Sequence, residues 1–367
     1  MNNSVIRKIQ ITGGSTYVVS LPKDWARDAG LKAGSQVALE RQPDMSLLIT
    51  PKAELKSEVT EALLEVTGKL SSKAVISEFI ATYLIGYNII RIRFQPGTTE
   101  HRAALKGAIK RKLMGVEIIE ESANQITAQC LLGYKELPID KAVNRMSVLA
   151  SLMHKDAVNA LLNNDVILAR EIIERDDEVD RFYFFIVREL KKAVFNKTLV
   201  EERGLIDQRN CLGYRLITKS IERVAYHSAR IAYTTITIKD SLDKKLTKEI
   251  GDISALSQDI YQSSIKALYR KDIRLAHSTI AKIEEVQALE EKIINLLLNL
   301  KHSNEIVIKL RIISAAATLS FNNKSNITLG NKRQVFKIAS NLVVSVSYTH
   351  LRAHETRHDL VCRLLLE

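Results

Sequence analysis

The sequence predicts a multidomain chain: a small mainly-β amino-terminal domain, a small α/β spacer, and an all-α region of tandem three-helix bundles. Three observations predict it. All five prolines, Pro22, Pro43, Pro51, Pro96 and Pro138, lie in the first part of the chain, and none follows Pro138. Beyond that point apolar residues recur at helical spacing through long stretches with short polar breaks. Within those stretches "NDVILAREIIERDDEVD" from Asn164 aligns with "KDIRLAHSTIAKIEEVQ" from Lys271, an offset of 107 positions. "YRLITKSIERVAYHSARIA" from Tyr214 aligns more weakly with "LRIISAAATLSFNNKSNIT" from Leu310. Two tandem three-helix units, each covering the other's apolar face, explain both alignments.

The first segment, 1–52, alternates as strands do: Ile6, Ile9 and Ile11, then Tyr17 to Val19, then Val37 to Leu39, then Leu47 to Ile49. Gly13-Gly14 and Pro43-Asp44 supply turns. Between the second and third strands Pro22 can open a short helix at its first turn and Gly30 can close it. Some fifty residues make a thin core, so a second copy is expected to complete it in a homodimer. The spacer, 53–137, reads as helix, strand (89–94), helix (100–113), strand (116–120) and strand (126–132). Its second helix carries Arg102, Lys106, Lys110, Arg111 and Lys112, expected as a solvated face. The helical units are placed at 138–236 and 237–345.

Composition bounds the function. The chain has 367 residues, 46% hydrophobic and 26% charged, as in soluble globular proteins, which argues against disorder and membrane spanning. The formal charge of +12 suits either an anionic partner such as nucleic acid or simple solubility. Cys130, Cys211 and Cys362 stand far apart without a CxxC or Cys/His cluster, which fits a reducing cytoplasm. No apolar signal core opens the chain, and no transmembrane segment is expected. No nucleophile elbow, P-loop, dinucleotide fingerprint or HExxH occurs, so catalysis is not expected.

The stretch "RKIQITGGSTYVVSLPKDWARDAGLKAGSQVALE", Arg7 to Glu40, resembles the SpoVT/AbrB family of DNA-binding domains. The resemblance implies a swapped-hairpin homodimer that lays basic strand and turn residues against double-stranded DNA. Arg7, Lys8, Lys23 and Arg27, with Lys32 and Arg41, are the candidate DNA contacts. Lysine and arginine suit the role because phosphate contacts release counterions and bidentate arginine reads guanine edges. The other reading is that the module only dimerises and these charges are solvated.

"ALLNNDVILAREIIERDDEVD" with "IERVAYHSARIA" is similar to the PhoU family of phosphate-uptake regulators, over roughly residues 140–327. Together with the first segment, it resembles the archaeal-type regulators that join the two. The resemblance implies acidic pairs, an acid followed four residues later by aspartate, that hold iron or divalent metals in some members. Residues four apart share a helical face, about 6 Å apart along the axis. Asp176 and Asp180 match the first pair, and Glu222 opens the second, but Tyr226 stands where aspartate is implied, followed by His227. Asp176, Asp180, Glu222 and His227 are thus the metal candidates of the first repeat. The alternative is a solvated acidic face beside Arg175 and Arg181. In the second repeat Ile283, Gln287, Thr318 and Asn322 replace both pairs.

The run Phe182, Phe184, Phe185, Ile186 reads as core, and His154, His277 and His302 as surface or helix-packing residues. His350, His354 and His358 would align on a helix, but the tail 346–367 resembles the translation of a sequencing-library adapter, so the natural sequence is expected to leave this reading frame near Ser345. The expected function is regulation of phosphate uptake through DNA, with the bundle sensing or relaying phosphate status. Two alternatives stand beside it: an adaptor that inhibits a phosphate transporter subunit by protein contact, and a metal-binding bundle.

Overall fold

The computed structural model describes residues 5–41, 45–51, 60–195, 208–238 and 242–299. The Pro43-Asp44 turn, the tail 346–367 and the last part of the second repeat, with His302, Thr318 and Asn322, lie outside the described residues. The chain divides into two compact units, Met1–Val59 and Thr60–Glu367.

The amino-terminal unit contains two antiparallel hairpins. In the first, β1 (Gln10–Thr12) pairs with β2 (Thr16–Val18) in the register Ile11 to Tyr17. Gly13 and Gly14, at φ +63° and +81°, make the tight connection that a side chain would strain. Helix α1 (Lys23–Asp28) starts behind Pro22, and Gly30 follows its end at φ +67°. In the second hairpin β3 (Val37–Arg41) pairs with β4 (Leu47–Pro51). None of the residues assigned a burial between 5 and 51 is buried, and Ile6, Ile9, Ile11, Tyr17, Leu39 and Leu47 are exposed. The alternating apolar residues therefore form strands without a core of their own.

The second unit opens with a four-stranded sheet ordered β5-β6-β8-β7, from β5 (Glu61–Val66), β6 (Ile89–Phe94), β7 (Val116–Glu121) and β8 (Gln125–Cys130). β5 and β6 run parallel, joined by α2 (Ser72–Ile85), and the other pairings are antiparallel. The spacer was expected to begin with a helix, and β5 corrects this. "EALLEV" has the composition of a helix, yet its alternating burial lets Leu64 and Val66 pack while Glu61 and Glu65 face outward. Helix α3 (Thr99–Lys112) follows β6. α2 touches β5, β6 and the bundle helix α5 (Val166–Phe195); α3 touches β7 and α5.

Gly115 sits at φ +66° in the turn before β7, and a Cβ there would lie 2.2 Å from Leu132 Cβ. Gly115→Ala is expected to lower unfolding stability by roughly 2–4 kcal/mol through strain plus overlap. Urea unfolding of the full chain checks this, and a loss below about 1 kcal/mol would contradict it.

The bundle comprises α4 (Ile139–Asn163), α5, α6 (Gln208–Thr237), α7 (Lys244–Arg270), α8 (Ile273–Ala281) and α9 (Ile283–Asn299). The repeat is visible atom by atom. Asn164 and Lys271, 107 positions apart, both end their helices in the left-handed conformation, at φ 52° and 53°. The next residues, Asp165 and Asp272, cap the following helices by accepting from Leu168 N and Leu275 N. The counterpart of continuous α5 is interrupted at Lys282, which divides α8 from α9.

Helices α4 and α7 pack antiparallel. Tyr261 donates to Ser147 O at 3.1 Å, and His154 Nε2 lies 3.1 Å from Ser254 Oγ. The repeat offset carries Ser147 onto Ser254 and His154 onto Tyr261, so these two contacts are equivalents. Gln258 bonds Ser151, its own equivalent, through both its amide oxygen and nitrogen. This is the pattern of a pseudo-two-fold axis passing beside Ser151 and Gln258. One apolar cluster runs from Val66 of β5 through the α/β layers and the bundle to Ile293.

Candidate functional site

Each candidate DNA contact sits at the surface of the amino-terminal unit. Arg7 and Lys8 lie in the exposed segment before β1, Lys23 opens α1, and Arg41 ends β3, where its guanidinium reaches Met45 Sδ at 2.9 Å. Lys32 follows α1, with its backbone N–H donating to Ser35 Oγ. Arg27 differs from the rest, because Asp24 at 3.2 Å and Asp28 at 3.5 Å lie beside it in exposed ion pairs. A phosphate reaching Arg27 would first have to displace these acids. Arg7 and Lys8 have no such acid beside them among the described residues, which makes them the better-placed cations.

On the bundle, α5 and α6 gather a second charged face. Asp176 lies within electrostatic reach of Asp180 and Glu222. Burial first, then Asp180 and Glu222, push the Asp176 carboxyl up to about 7 against the pull of Lys112. Lys112, the last residue of α3, reaches across from the α/β layer. Its Nζ donates to Asp180 Oδ2 at 2.8 Å and lies 3.6 Å from Asp177 Oδ1. Burial works against its charge, but Asp180, Asp177 and Asp176 outweigh that and hold the ammonium above its ordinary range. Arg111 adds a longer pair to Asp177 at 3.9 Å. Glu222 pairs with Lys219 at 2.9 Å, one turn away on α6.

His227 does not join the acids. It is partly buried, and its imidazole is held down to about 3 by burial, then by Arg223, Arg230 and His154. Its ring lies against that of Tyr226, with centroids 5.5 Å apart, while Arg230 covers the other tyrosine contact at 5.9 Å. The metal set read from the sequence therefore loses its histidine, because position 227 turns toward α4 and the pseudo-two-fold axis. Among the described residues no three His, Cys, Asp or Glu side chains gather closely enough to hold a metal. Lys112 already occupies Asp180, one of the carboxylates that a metal ion would need.

Lys112 was the residue that sequence reasoning placed elsewhere, in an expected solvated face of α3. That face is partly committed: Lys106 pairs with Glu121 at 2.7 Å, and Arg102 donates to Ser122 O at 2.9 Å. Arg188 of α5 was not singled out at all. It is fully buried, donates to Tyr83 O, to Gly86 O at 3.0 Å and to Asn88 Oδ1 at 2.9 Å, and stacks on the Tyr83 ring at 4.7 Å. It thus satisfies carbonyls at the carboxy-terminal end of α2, where a cation is favoured. Arg188 and Lys112 together tie α2 and α3 to the same helix, α5.

His154 gives the bundle a pH dependence. Burial alone holds its imidazole down to about 4, so the folded state keeps it neutral where the unfolded chain, near 6.5, takes up a proton. Stability is intact above about pH 6.5 and falls as pH drops toward 4, by about 3 kcal/mol from this group. Asp176, raised to about 7, acts in the opposite sense, adding stability as pH falls through 7 toward the ordinary carboxylate range. The comparison that isolates His154 is urea unfolding at pH 7 and pH 4 for wild type and His154→Gln. The variant is expected to lose about 3 kcal/mol less across that interval, and identical losses would contradict the assignment.

Comparison with known proteins adds to this geometry. Residues 143–235 match the PhoU domain, and residues 10–56 match the family described as antidote-toxin recognition MazE, bacterial antitoxin. The Phosphate-specific transport system accessory protein PhoU homolog of Clostridium acetobutylicum is 24% identical over 161 residues, which is 42% of this chain and 70% of that one. The homolog of Aquifex aeolicus is 30% identical over 103 residues, 28% of this chain and 46% of that one, so the match spans about half of that relative's length. Of solved structures, PhoU from Pseudomonas aeruginosa is 17% identical with a TM-score of 0.46, covering 58% of this chain and 97% of its own. Among the described residues no helix is long and apolar enough to cross a membrane.

Proposed function

We propose that this chain, which joins an antitoxin-type amino-terminal module to a PhoU domain, regulates phosphate uptake by binding double-stranded DNA as a homodimer. The bundle senses or relays phosphate status. The observation that carries the reading is the presence of both matches in one polypeptide. The exposed Arg7, Lys8, Lys23, Lys32 and Arg41 supply phosphate-binding cations. The uncovered apolar strands of the first unit supply a dimer surface, since about fifty residues rarely bury enough apolar area alone.

The relay runs through Lys112. An event on α5 or α6 that draws Asp180 and Asp177 away from Lys112 leaves a partly buried ammonium without its counter-ions, which favours moving the end of α3. The α/β layer follows the DNA-binding module directly in the chain, so its movement can change the spacing of two paired modules. Only a difference in affinity between two conformations can carry such a signal.

The experiment is DNA titration of the full chain and its Lys112→Glu variant, on DNA from upstream of phosphate-transport genes. The variant reverses the contact and is expected to shift operator affinity roughly fivefold or more, with Lys112→Arg near wild type. Circular dichroism confirms that each variant is folded. Operator affinity unchanged in a folded Lys112→Glu chain overturns the relay, while loss of selective binding by wild type overturns the DNA reading itself.

A further inference from the structure

The face of α6 turned away from its buried apolar side carries a stripe of basic, aromatic and apolar residues. Leu216, Lys219, Arg223, Tyr226, Arg230 and Tyr233 follow one another at steps of three and four residues. Such steps average 3.5 residues, so the side chains fall along one line of the helix. Leu212 extends it by one more turn, to about 32 Å at 1.5 Å per residue. Ile217, Ile221, Val224, Ala225 and Ile231, on the opposite side, are buried in the bundle, which fixes the stripe's outward direction.

Its surface chemistry is unusual for a solvated face. Leu212 is 66% exposed, Tyr233 62% and Tyr226 42%. Among the described residues Arg223 and Arg230 make no ion pair, although Arg230 lies over the Tyr226 ring at 5.9 Å. No position of the stripe is acidic; Lys219 pairs with the partly buried Glu222 and lies over the Tyr183 ring of α5. Exposed tyrosine interleaved with arginine is the composition that protein interfaces concentrate at their energetic centres.

We propose that this stripe docks an acidic amphipathic helix of a protein partner. A straight seam at 3.5-residue spacing accepts another helix along its length, with leucines and tyrosines meeting apolar side chains. The unpaired arginines then require carboxylates, which only an acidic segment supplies in register. A second copy of the same stripe would set Arg223 and Arg230 against like charges. Residues 305–321 of this chain, "EIVIKLRIISAAATLSF", offer one acid against Lys309 and Arg311 and so lack the complementary charge. Nucleic acid suits the lysines and arginines but not the exposed leucines at one end. The proposal goes beyond DNA binding and does not depend on it.

The test is site-specific photo-crosslinking. A photoreactive phenylalanine analogue is placed at position 226 or 233 of the full chain, in cells that make the protein, and the cross-linked peptides are identified by mass spectrometry. The expected result is one protein, cross-linked through a helical segment with Asp or Glu at three- and four-residue spacing. Its yield is expected to fall roughly tenfold or more with Arg223→Glu and Arg230→Glu, and less with glutamine at both positions. Cross-links confined to a second copy of the chain, to residues 300–345 of the same chain, to nucleic acid or to nothing would overturn the proposal. So would a yield unchanged by the charge reversals in a folded variant.

Discussion

Arg188→Ala is expected to lower the unfolding free energy of the full chain by roughly 3–5 kcal/mol, through lost charge-assisted hydrogen bonds and the cavity that a large buried side chain leaves. The side-chain oxygen of Asn88 loses its Arg188 donor, while the carbonyls of Tyr83 and Gly86 each lose one of two donors, keeping Gly86 N at 3.1 Å and Thr60 Oγ1 at 3.5 Å. Hydrogen bonds to a charged group contribute about 1.5–3 kcal/mol each, and the stacking on Tyr83 adds about 1–2 kcal/mol when desolvated. The change also cuts the tie between α2 and α5 that Arg188 makes. Urea unfolding followed by far-ultraviolet circular dichroism is therefore expected to broaden or split, as the α/β layers loosen before the bundle. Arg188→Met, which keeps most of the aliphatic stem, is expected to retain part of the packing but none of these bonds. A loss below about 1 kcal/mol with a single sharp transition would show that Arg188 does not hold the two layers together.

Arg7→Ala with Lys8→Ala is expected to weaken DNA binding by roughly one to two orders of magnitude near 100 mM salt, through lost phosphate contacts. The salt dependence is more diagnostic than the affinity. Each phosphate contact removed makes the log–log slope shallower by about 1, so the double change should reduce it by about 2 per DNA-bound module and about 4 per homodimer. Arg27→Ala is expected to do much less, because Asp24 and Asp28 already lie beside it. Equal slopes for wild type and the Arg7, Lys8 variant would place these residues away from the DNA.

The repeat was legible because its signals are local. Asn164 and Lys271 end helices and Asp165 and Asp272 start them, so equivalent residues do equivalent backbone work at both places. The apolar run Phe182 to Ile186 was legible in part: Phe185 and Ile186 are buried, while Phe182 and Phe184 are half-buried and pack at its edge. β5 was not legible. Its Glu, Ala and Leu favour helix, and only parallel pairing to β6, a tertiary contact, decides otherwise.

The same distinction governs the sites. Asp176 and Asp180 could be placed on one face from their spacing alone, and Glu222 joined them through the resemblance. Lys112 could not, because 68 residues separate it from Asp180 and nothing in α3 marks one lysine among five cations as turned inward. His227 was set beside the acids through the resemblance; adjacent residues on a helix point about 100° apart, so its neighbourhood differs from that of position 226. The amino-terminal cations were legible as charges, but the acids beside Arg27 are a feature of side-chain placement.

The measurement that tests the central claim most directly is fluorescence anisotropy of the full chain on DNA from upstream of phosphate-transport genes, beside unrelated DNA of the same length, across a series of salt concentrations. The account predicts saturable binding roughly a thousandfold or more tighter to the first DNA, weakening steeply as salt rises. Equal and weak binding to both DNAs would contradict it and leave the amino-terminal module as a dimerisation device.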